Sequence, residues 1–446
     1  MARIIIVWGL WGPYHCPRFE AFRDHASDQG HQVTGVSLFS GSRDYQWRPG
    51  NLPDGVVHFD LGKDDTKFPL GKLATLFSIP WKLRPDVALL PSYFHWSLAL
   101  NTAMRLTNTR VAIMSDTHAG TARARGLKAA FKRRVVAGFH AGFVAGAPQR
   151  RYFASLGLPS EKIFTGYDAV DNDYFACRAE EIRERKEEVK CQYDLPERYF
   201  LSLGRFVAKK NLSALLRAYR MFLDSNGAGP VHLVMVGSGE EEVKLRCLCQ
   251  TLRLPVYDKI MAGTNDRKAR MRDIPPGVHF YGFRQIKENP VFYALAEAFV
   301  LPSMWEEWGL VVNEAMASGL PVIVSETAGC AEDLLKPPLP ATPATPPRDS
   351  FGGNTPAGVD VRQNGIVFNP NSDAALAQAL LTLTAAPALR EAMGKSSRII
   401  VESFSCAAFA RSALLAARAA TGENVLAPRD ASAAEAPLEV TRGLAS

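Results

Sequence analysis

The 446-residue sequence predicts an α/β protein made of two parallel-sheet halves and a C-terminal tail. Three observations lead there. Short apolar runs alternate with amphipathic stretches along most of the chain, the pattern of strands joined by crossover helices. The length exceeds what one hydrophobic core fills, so two domains are expected. Finally, residues 298–325 spell out one complete unit: Phe299-Val300-Leu301, a stop at Pro302 and Ser303, a loop, a helical stretch at 310–318, a stop at Gly319 and Pro321, and a second apolar run at 322–325. Strand, loop, helix and strand in that order require a parallel pair, and glycine followed by proline ends the helix.

Composition narrows the class. Hydrophobic residues make up 47% of the chain and charged residues 22%, as in ordinary globular proteins. The seven cysteines form no C-x-x-C, and Cys247 and Cys249 fall on different faces of a helix, which speaks for a reducing cytoplasm over a disulfide framework or a metal site. The apolar run at 3–7 is too short for a secretory leader, and no apolar run reaches about 18 residues, so no spanning helix is expected. A cytoplasmic protein follows. No G-x4-G-K-[ST] loop is present, which argues against nucleotide hydrolysis.

In the first half, residues 3–8 read as a buried strand. Gly9-Leu10-Trp11-Gly12-Pro13 follows at its C-terminal end, where open α/β sheets bind ligands, which makes Gly9 a candidate for close approach to one. His15 and Arg18 open the next helix and are candidates for an acceptor-facing surface. Further strands are expected at 33–39, 56–59, 86–90, 111–115, 141–144 and 163–165. Asp116-Thr117-His118 lies just past the fourth of these. Arg123, Arg125, Lys128, Lys132, Arg133 and Arg134 then cluster with no acid from 117 to 147, interleaved with Leu127, Ala130, Phe131 and Val135. That pattern fits a helix on an anionic membrane surface. No nucleic-acid recognition motif accompanies it, so no nucleic-acid partner is expected. Residues 164–175 look like a joint, and Asp171-Asn172-Asp173 there is not placed as a metal motif, because it does not follow a nucleotide-binding strand. Residues 178–190 are a charged helix or linker.

The second half opens with a strand at 199–203, followed by Gly204-Arg205 and, five residues on, Lys210 before a helix from Leu212. Strands at 231–236, ending in Gly237-Ser238-Gly239, and at 278–283 come next, with a polar insertion at 257–276 between them. Residues 336–360, rich in Pro, Thr, Ser and Gly, read as an extended or disordered loop. A strand at 364–368, helices at 374–384, 387–403 and 407–420, and a disordered tail at 421–446 complete the chain.

The chemistry concentrates around the second strand-helix unit. Glu306 sits in its loop and Glu314 on its helix, eight positions apart. Amides near Gly309 and Leu310 would point out of the helix N-terminus, where anions bind. A carboxylate on the helix can accept from both hydroxyls of a sugar diol. The spacing therefore suits a nucleotide: phosphates at the helix start, ribose on Glu314, a sugar facing Glu306.

Glu306-x7-Glu314, within E-x-[aromatic]-G-L-x-x-x-E-A-M-A-x-G-x-P-V, resembles the signature of family 4 retaining glycosyltransferases. The resemblance implies the GT-B fold, with two Rossmann-like domains facing across a cleft. The implied division is 1–175 as the acceptor-side domain, 176–400 as the nucleotide-sugar domain, a helix at 401–420 returning to the first domain, and a tail at 421–446. Arg205 and Lys210 match the family's G-R-x4-K pair, which holds the donor diphosphate; Gly237 matches its glycine turn beside the nucleotide. A histidine near position 118 contacts the transferred sugar, which points to His118, with Asp116 as the rival. The family shows Asn-Gly-Val-Asp at the joint, where this chain has Tyr167-Asp168 ahead of Val170-Asp171. The implied activity is transfer of a hexosyl or related sugar from a nucleotide-diphosphate sugar to a saccharide or lipid-linked acceptor, as in polysaccharide biosynthesis, with retention and without a metal or other cofactor. A peripheral position on the inner face of the membrane accompanies it. Two other readings stand beside this one: a nucleotide-sugar epimerase of the same fold, and a non-catalytic nucleotide-sugar-binding protein.

Overall fold

The computed structural model describes residues 1–41, 51–63, 70–91, 95–122, 126–225, 230–258, 274–338, 359–425 and 427. Two sheets account for all the named strands. The first contains β1 (Arg3–Trp8), β2 (Gln32–Ser37), β3 (Val56–His58), β4 (Val87–Pro91), β5 (Arg110–Ser115), β6 (Ala141–Val144) and β7 (Ile163–Thr165), in the order β3-β2-β1-β4-β5-β6-β7 and parallel throughout. The second contains β8 (Tyr199–Leu203), β9 (His232–Val236), β10 (Val256–Asp258), β11 (Val278–Phe280), β12 (Ala298–Leu301), β13 (Val322–Ser325), β14 (Val359–Val361) and β15 (Gly365–Phe368), in the order β10-β11-β9-β8-β12-β13-β15-β14. Both strand orders reverse direction beside the first strand of their unit, which opens a crevice at the C-terminal ends of the strands.

The strands are apolar because helices cover both faces of each sheet. Residues 4–8 of β1 and all of β6, β9, β12 and β13 are buried. Apolar side chains gather on either face of each sheet, around Phe143 and Val111 in the first and Phe299 and Phe200 in the second.

Three expectations change. The helix Asn172–Glu184 runs straight through the anticipated boundary between residues 175 and 176. Asp171 caps it by accepting from the Tyr174 amide at 3.0 Å, and its apolar face joins the second core through Phe175, Ala179 and Ile182. The break between the two units therefore falls before it, where Val170 bridges Ser405. Residues 359–361 leave the expected loop and pair antiparallel with β15 as an edge strand, Asp360 opposite Val367. β10, a three-residue strand, had no apolar run to announce it. Residues 259–273 of the insertion, 339–358 of the loop and 428–446 of the tail, with Arg123 and Arg125, lie outside the described residues.

The C-terminal helix Cys406–Thr421 packs on the first unit. It is alanine-rich on its buried side, with Ala410, Ala413, Ala416, Ala417 and Ala420 allowing close approach to the helix His15–Asp28. Phe409 anchors it, fully buried, with its ring 5.0 Å from Phe143 and 6.3 Å from both Trp8 and Tyr167. Phe409→Ala should lower the unfolding free energy by about 3–5 kcal/mol, the range for a buried aromatic deleted from a packed site. Urea denaturation is the measurement; a change under about 1 kcal/mol would show that the helix is not integral to the first core.

Candidate active site

The loop that follows β12 carries a carboxylate with unusual company. Glu306 is 8% exposed. Lys209 Nζ lies 3.3 Å from its Oε1, Lys210 Nζ pairs with its Oε2, and Ser303 Oγ donates to Oε2 at 3.2 Å. Burial alone would raise the carboxyl's pKa, but Lys210 and Lys209 outweigh it and hold the group below its usual range. Both lysines sit on the turn Ala208–Lys210, just past β8. Arg205 is exposed just ahead of that turn. Gly204 and Gly237 bring two strand ends into backbone contact: a Cβ on Gly237 would lie 1.9 Å from the Gly204 carbonyl oxygen, and its φ of +140° also favours glycine.

Gly309 precedes the helix Leu310–Ala317 at a left-handed φ of +113°, and no side chain caps that end. Glu314 lies inside the helix and is fully buried. Tyr14, at the start of the first unit's opening helix, donates its hydroxyl to Glu314 Oε1, and Asn289 Nδ2 donates to Oε2 at 3.3 Å. The buried Tyr293 hydroxyl also lies close and favours the ionised form, without reaching hydrogen-bonding geometry. Burial dominates and raises the carboxyl to about 7. Both carboxylate oxygens of Glu314 are thus engaged within the protein.

Several expected site residues have other occupations. His118 accepts from the Gly120 amide at Nδ1 (3.2 Å), which leaves Nε2 to donate to the Glu306 carbonyl oxygen at 2.9 Å. With both ring nitrogens engaged, His118 is a strut between the two units. Arg18 is 2% exposed; it donates to Ala169 O at 2.8 Å, lies 3.5 Å from Asp168 and rests over the rings of Tyr167 and Phe409. It packs at the joint, where Tyr167-Asp168 supplies a ring and a carboxylate to it. His15 accepts from the Gly12 amide at 2.8 Å and lies 4.7 Å from the Trp8 ring; enclosure and Arg18 press its pKa down to about 3, so it is a neutral part of the turn. Gly9 is needed for packing, since a Cβ there would meet Trp96 at 2.8 Å, and its carbonyl accepts from Leu38 and Phe39.

The site wall on the first unit is made by residues the motifs did not mark. Gln149 Nε2 donates to the carbonyls of Asp116 (3.1 Å) and Glu307 (2.8 Å), which sets the two loops face to face. Asp116 is raised to about 6 by burial first and by Glu307 second. Gly146 fits between Trp308 and Asp333, where any Cβ would clash, and the Ala147 amide donates to Asp333 at 2.9 Å. Lys209, Glu307, Tyr14 and Asn289 complete the enclosure. The adjacent lysines and adjacent acids were visible in the sequence, but their pairing was not.

Residues 184–337 match the family described as "Glycosyl transferases group 1". An uncharacterized glycosyltransferase of Methanocaldococcus jannaschii is 32% identical over 136 residues, 30% of this chain and 29% of that protein. O-antigen chain mannosyltransferase B of Escherichia coli is 26% identical over 179 residues, 40% of each chain. The chain thus spans well under half the length of these curated relatives. The crystal structure of Anabaena HepE in complex with UDP superposes with a TM-score of 0.63 at 14% identity, over 93% of this chain and 98% of that one. This likeness shows the fold to be GT-B, two Rossmann-like domains.

Glu314 provides a pH test. Its folded pKa of about 7 exceeds the ordinary 4.5, so the folded state holds a proton that the unfolded state releases, and stability falls as pH rises from 4.5 to 7. Glu314→Gln removes that slope. Between pH 5 and 7.5 the variant should gain on the wild type by up to about 3 kcal/mol in urea denaturation. Parallel pH profiles would mean that Glu314 is already ionised in the fold.

Proposed function

We propose that this protein transfers a hexosyl or related sugar from a nucleotide-diphosphate sugar to a saccharide or lipid-linked acceptor, with retention of anomeric configuration. The observation that carries the reading is the buried Glu306–Lys210 pair beside the Gly204–Gly237 turn, within the segment that matches group 1 glycosyltransferases. The UDP held by the Anabaena relative supports a nucleotide-sugar donor. In this reading the donor lies along the second domain. Its diphosphate meets Arg205 and Lys210, and its sugar faces Glu306. Its ribose takes the place of the Tyr14 hydroxyl on Glu314. As the bond from the anomeric carbon to the diphosphate oxygen breaks, negative charge grows on the leaving group, and two fixed cations stabilise that charge more than the ground state. Because side chains neutralise the diphosphate, the reading calls for no metal. The acceptor enters from the first domain.

The same reading places the protein at a membrane surface, through the helix Leu127–Val136. Leu127 is 90% exposed and Phe131 61%, one turn apart, while Arg133 and Arg134 line a shallow recess with Arg105. Lys132 does not take part: it turns inward onto Tyr152, and burial lowers its pKa to about 8. Among the described residues no helix is long and apolar enough to cross a membrane.

Arg205→Ala and Lys210→Ala should each lower turnover at saturating donor more than they weaken donor binding by calorimetry. Each loss should correspond to about 1.5–3 kcal/mol. The double variant should lose less than the sum, since both cations act on one diphosphate. Near-normal turnover in folded single variants would remove this pair from the mechanism. For the membrane surface, co-sedimentation with phosphatidylglycerol-containing vesicles should weaken with salt and drop several-fold in Leu127→Ser/Phe131→Ser. Equal binding to neutral vesicles, or none to either, would refute it.

A further inference from the structure

Lys209 and Lys210 are consecutive, yet both ammoniums reach the same carboxylate, one on each oxygen of Glu306. Two cations that share one small anion can pass to a larger one such as a diphosphate, whose oxygens accept charge-assisted hydrogen bonds from lysine. They differ in their second partners. Among the described residues, Lys210 pairs with no carboxylate besides the buried Glu306. Lys209 also lies 2.5 Å from Glu307, whose side chain is 36% exposed. A carboxylate that keeps much of its hydration is cheap to leave. The Lys209 backbone is fixed independently of its side chain, because its carbonyl accepts from the Met304 amide at 2.8 Å. The ammonium can therefore change partners without moving the loop that carries Glu306. Asp116 adds negative charge on the opposite wall, close enough to act on Lys209 electrostatically.

We propose that Lys209 is a further cation for the donor's diphosphate, beside Arg205 and Lys210, held by Glu307 until the diphosphate displaces that carboxylate. This rests on the reading of the cleft as a nucleotide-diphosphate-sugar site. On arrival of the diphosphate, Lys209 moves from Glu307 to a phosphoryl oxygen, and Glu307 returns to water. Glu307 is thus a competitor that sets diphosphate affinity.

The test is calorimetric titration of the full chain with UDP, GDP, ADP and dTDP, each beside its monophosphate. Lys209→Met should weaken whichever diphosphate binds by about tenfold and its monophosphate by less than about twofold, and Lys209→Arg should recover most of the loss. Glu307→Gln should tighten diphosphate binding about threefold, and that gain should vanish in the Lys209→Met background, a non-additivity that loss of packing alone would not produce. Thermal unfolding confirms that each variant is folded. Unchanged diphosphate affinity in Lys209→Met, equal losses for mono- and diphosphate, or a Glu307→Gln gain that persists without Lys209 would overturn the proposal. If Lys210→Met weakens the diphosphate and Lys209→Met does not, this inference fails while the site assignment stands. Failure of the wild type to bind any of the four diphosphates would overturn the site assignment, and this inference with it.

Discussion

A carboxylate withdrawn from water must be matched by charge and hydrogen bonds or it will not remain ionised. Glu306 meets that demand with two lysines and a serine hydroxyl, supplied by the β8 turn and by its own loop. The rest of the site follows from keeping this group in place. The Glu306 loop is tied to the lysine turn by the Met304 amide, and to the first domain by His118 on the Glu306 carbonyl and Gln149 on the Glu307 carbonyl. Removing one lysine leaves a buried charge half matched, so the pair is more than a surface ion pair of small consequence.

Glu314 shows the opposite solution. It has hydrogen-bond donors but no cation, and its pKa rises to about 7 instead. Two carboxylates eight residues apart thus have pKa values displaced in opposite directions, because one faces lysines and the other, buried, only a tyrosine and an amide. Perturbed carboxylates of this kind cluster at functional sites. The Tyr14–Glu314 contact also couples the domains, since Tyr14 is on one and Glu314 on the other.

Close backbone approach is the second constraint. Gly237 against Gly204 builds the phosphate turn within one domain, and Gly146 against Trp308 and Asp333 lets the two domains meet. A side chain at either position would need the space its neighbour occupies. At the joint, Arg18 binds the Asp168 carboxylate and the Ala169 carbonyl while lying over Phe409, so the first helix, the crossover and the C-terminal helix share one guanidinium.

The sequence by itself determined the alternation of strands and helices, most strand positions to within a residue or two, and the segment that bears the acids. These depend on local signals: apolar runs, glycine and proline stops, and a motif whose residues are neighbours on one loop and helix. It placed Glu306, Glu314, Arg205 and Lys210 on the elements that carry them. Tertiary structure alone decided which partners they meet. Tyr14 reaches Glu314 across 300 positions, His118 reaches Glu306 across 188, and Lys209 reaches Glu307 across 98. The same holds for candidate residues that the protein itself engages. Arg18, His15 and His118 carry chemistry that suits a substrate, and nothing in their neighbours in the chain shows that a carbonyl, a carboxylate or a backbone amide has already claimed it. Periodicity fixes which face a side chain is on; only the packing of distant segments fixes what stands opposite.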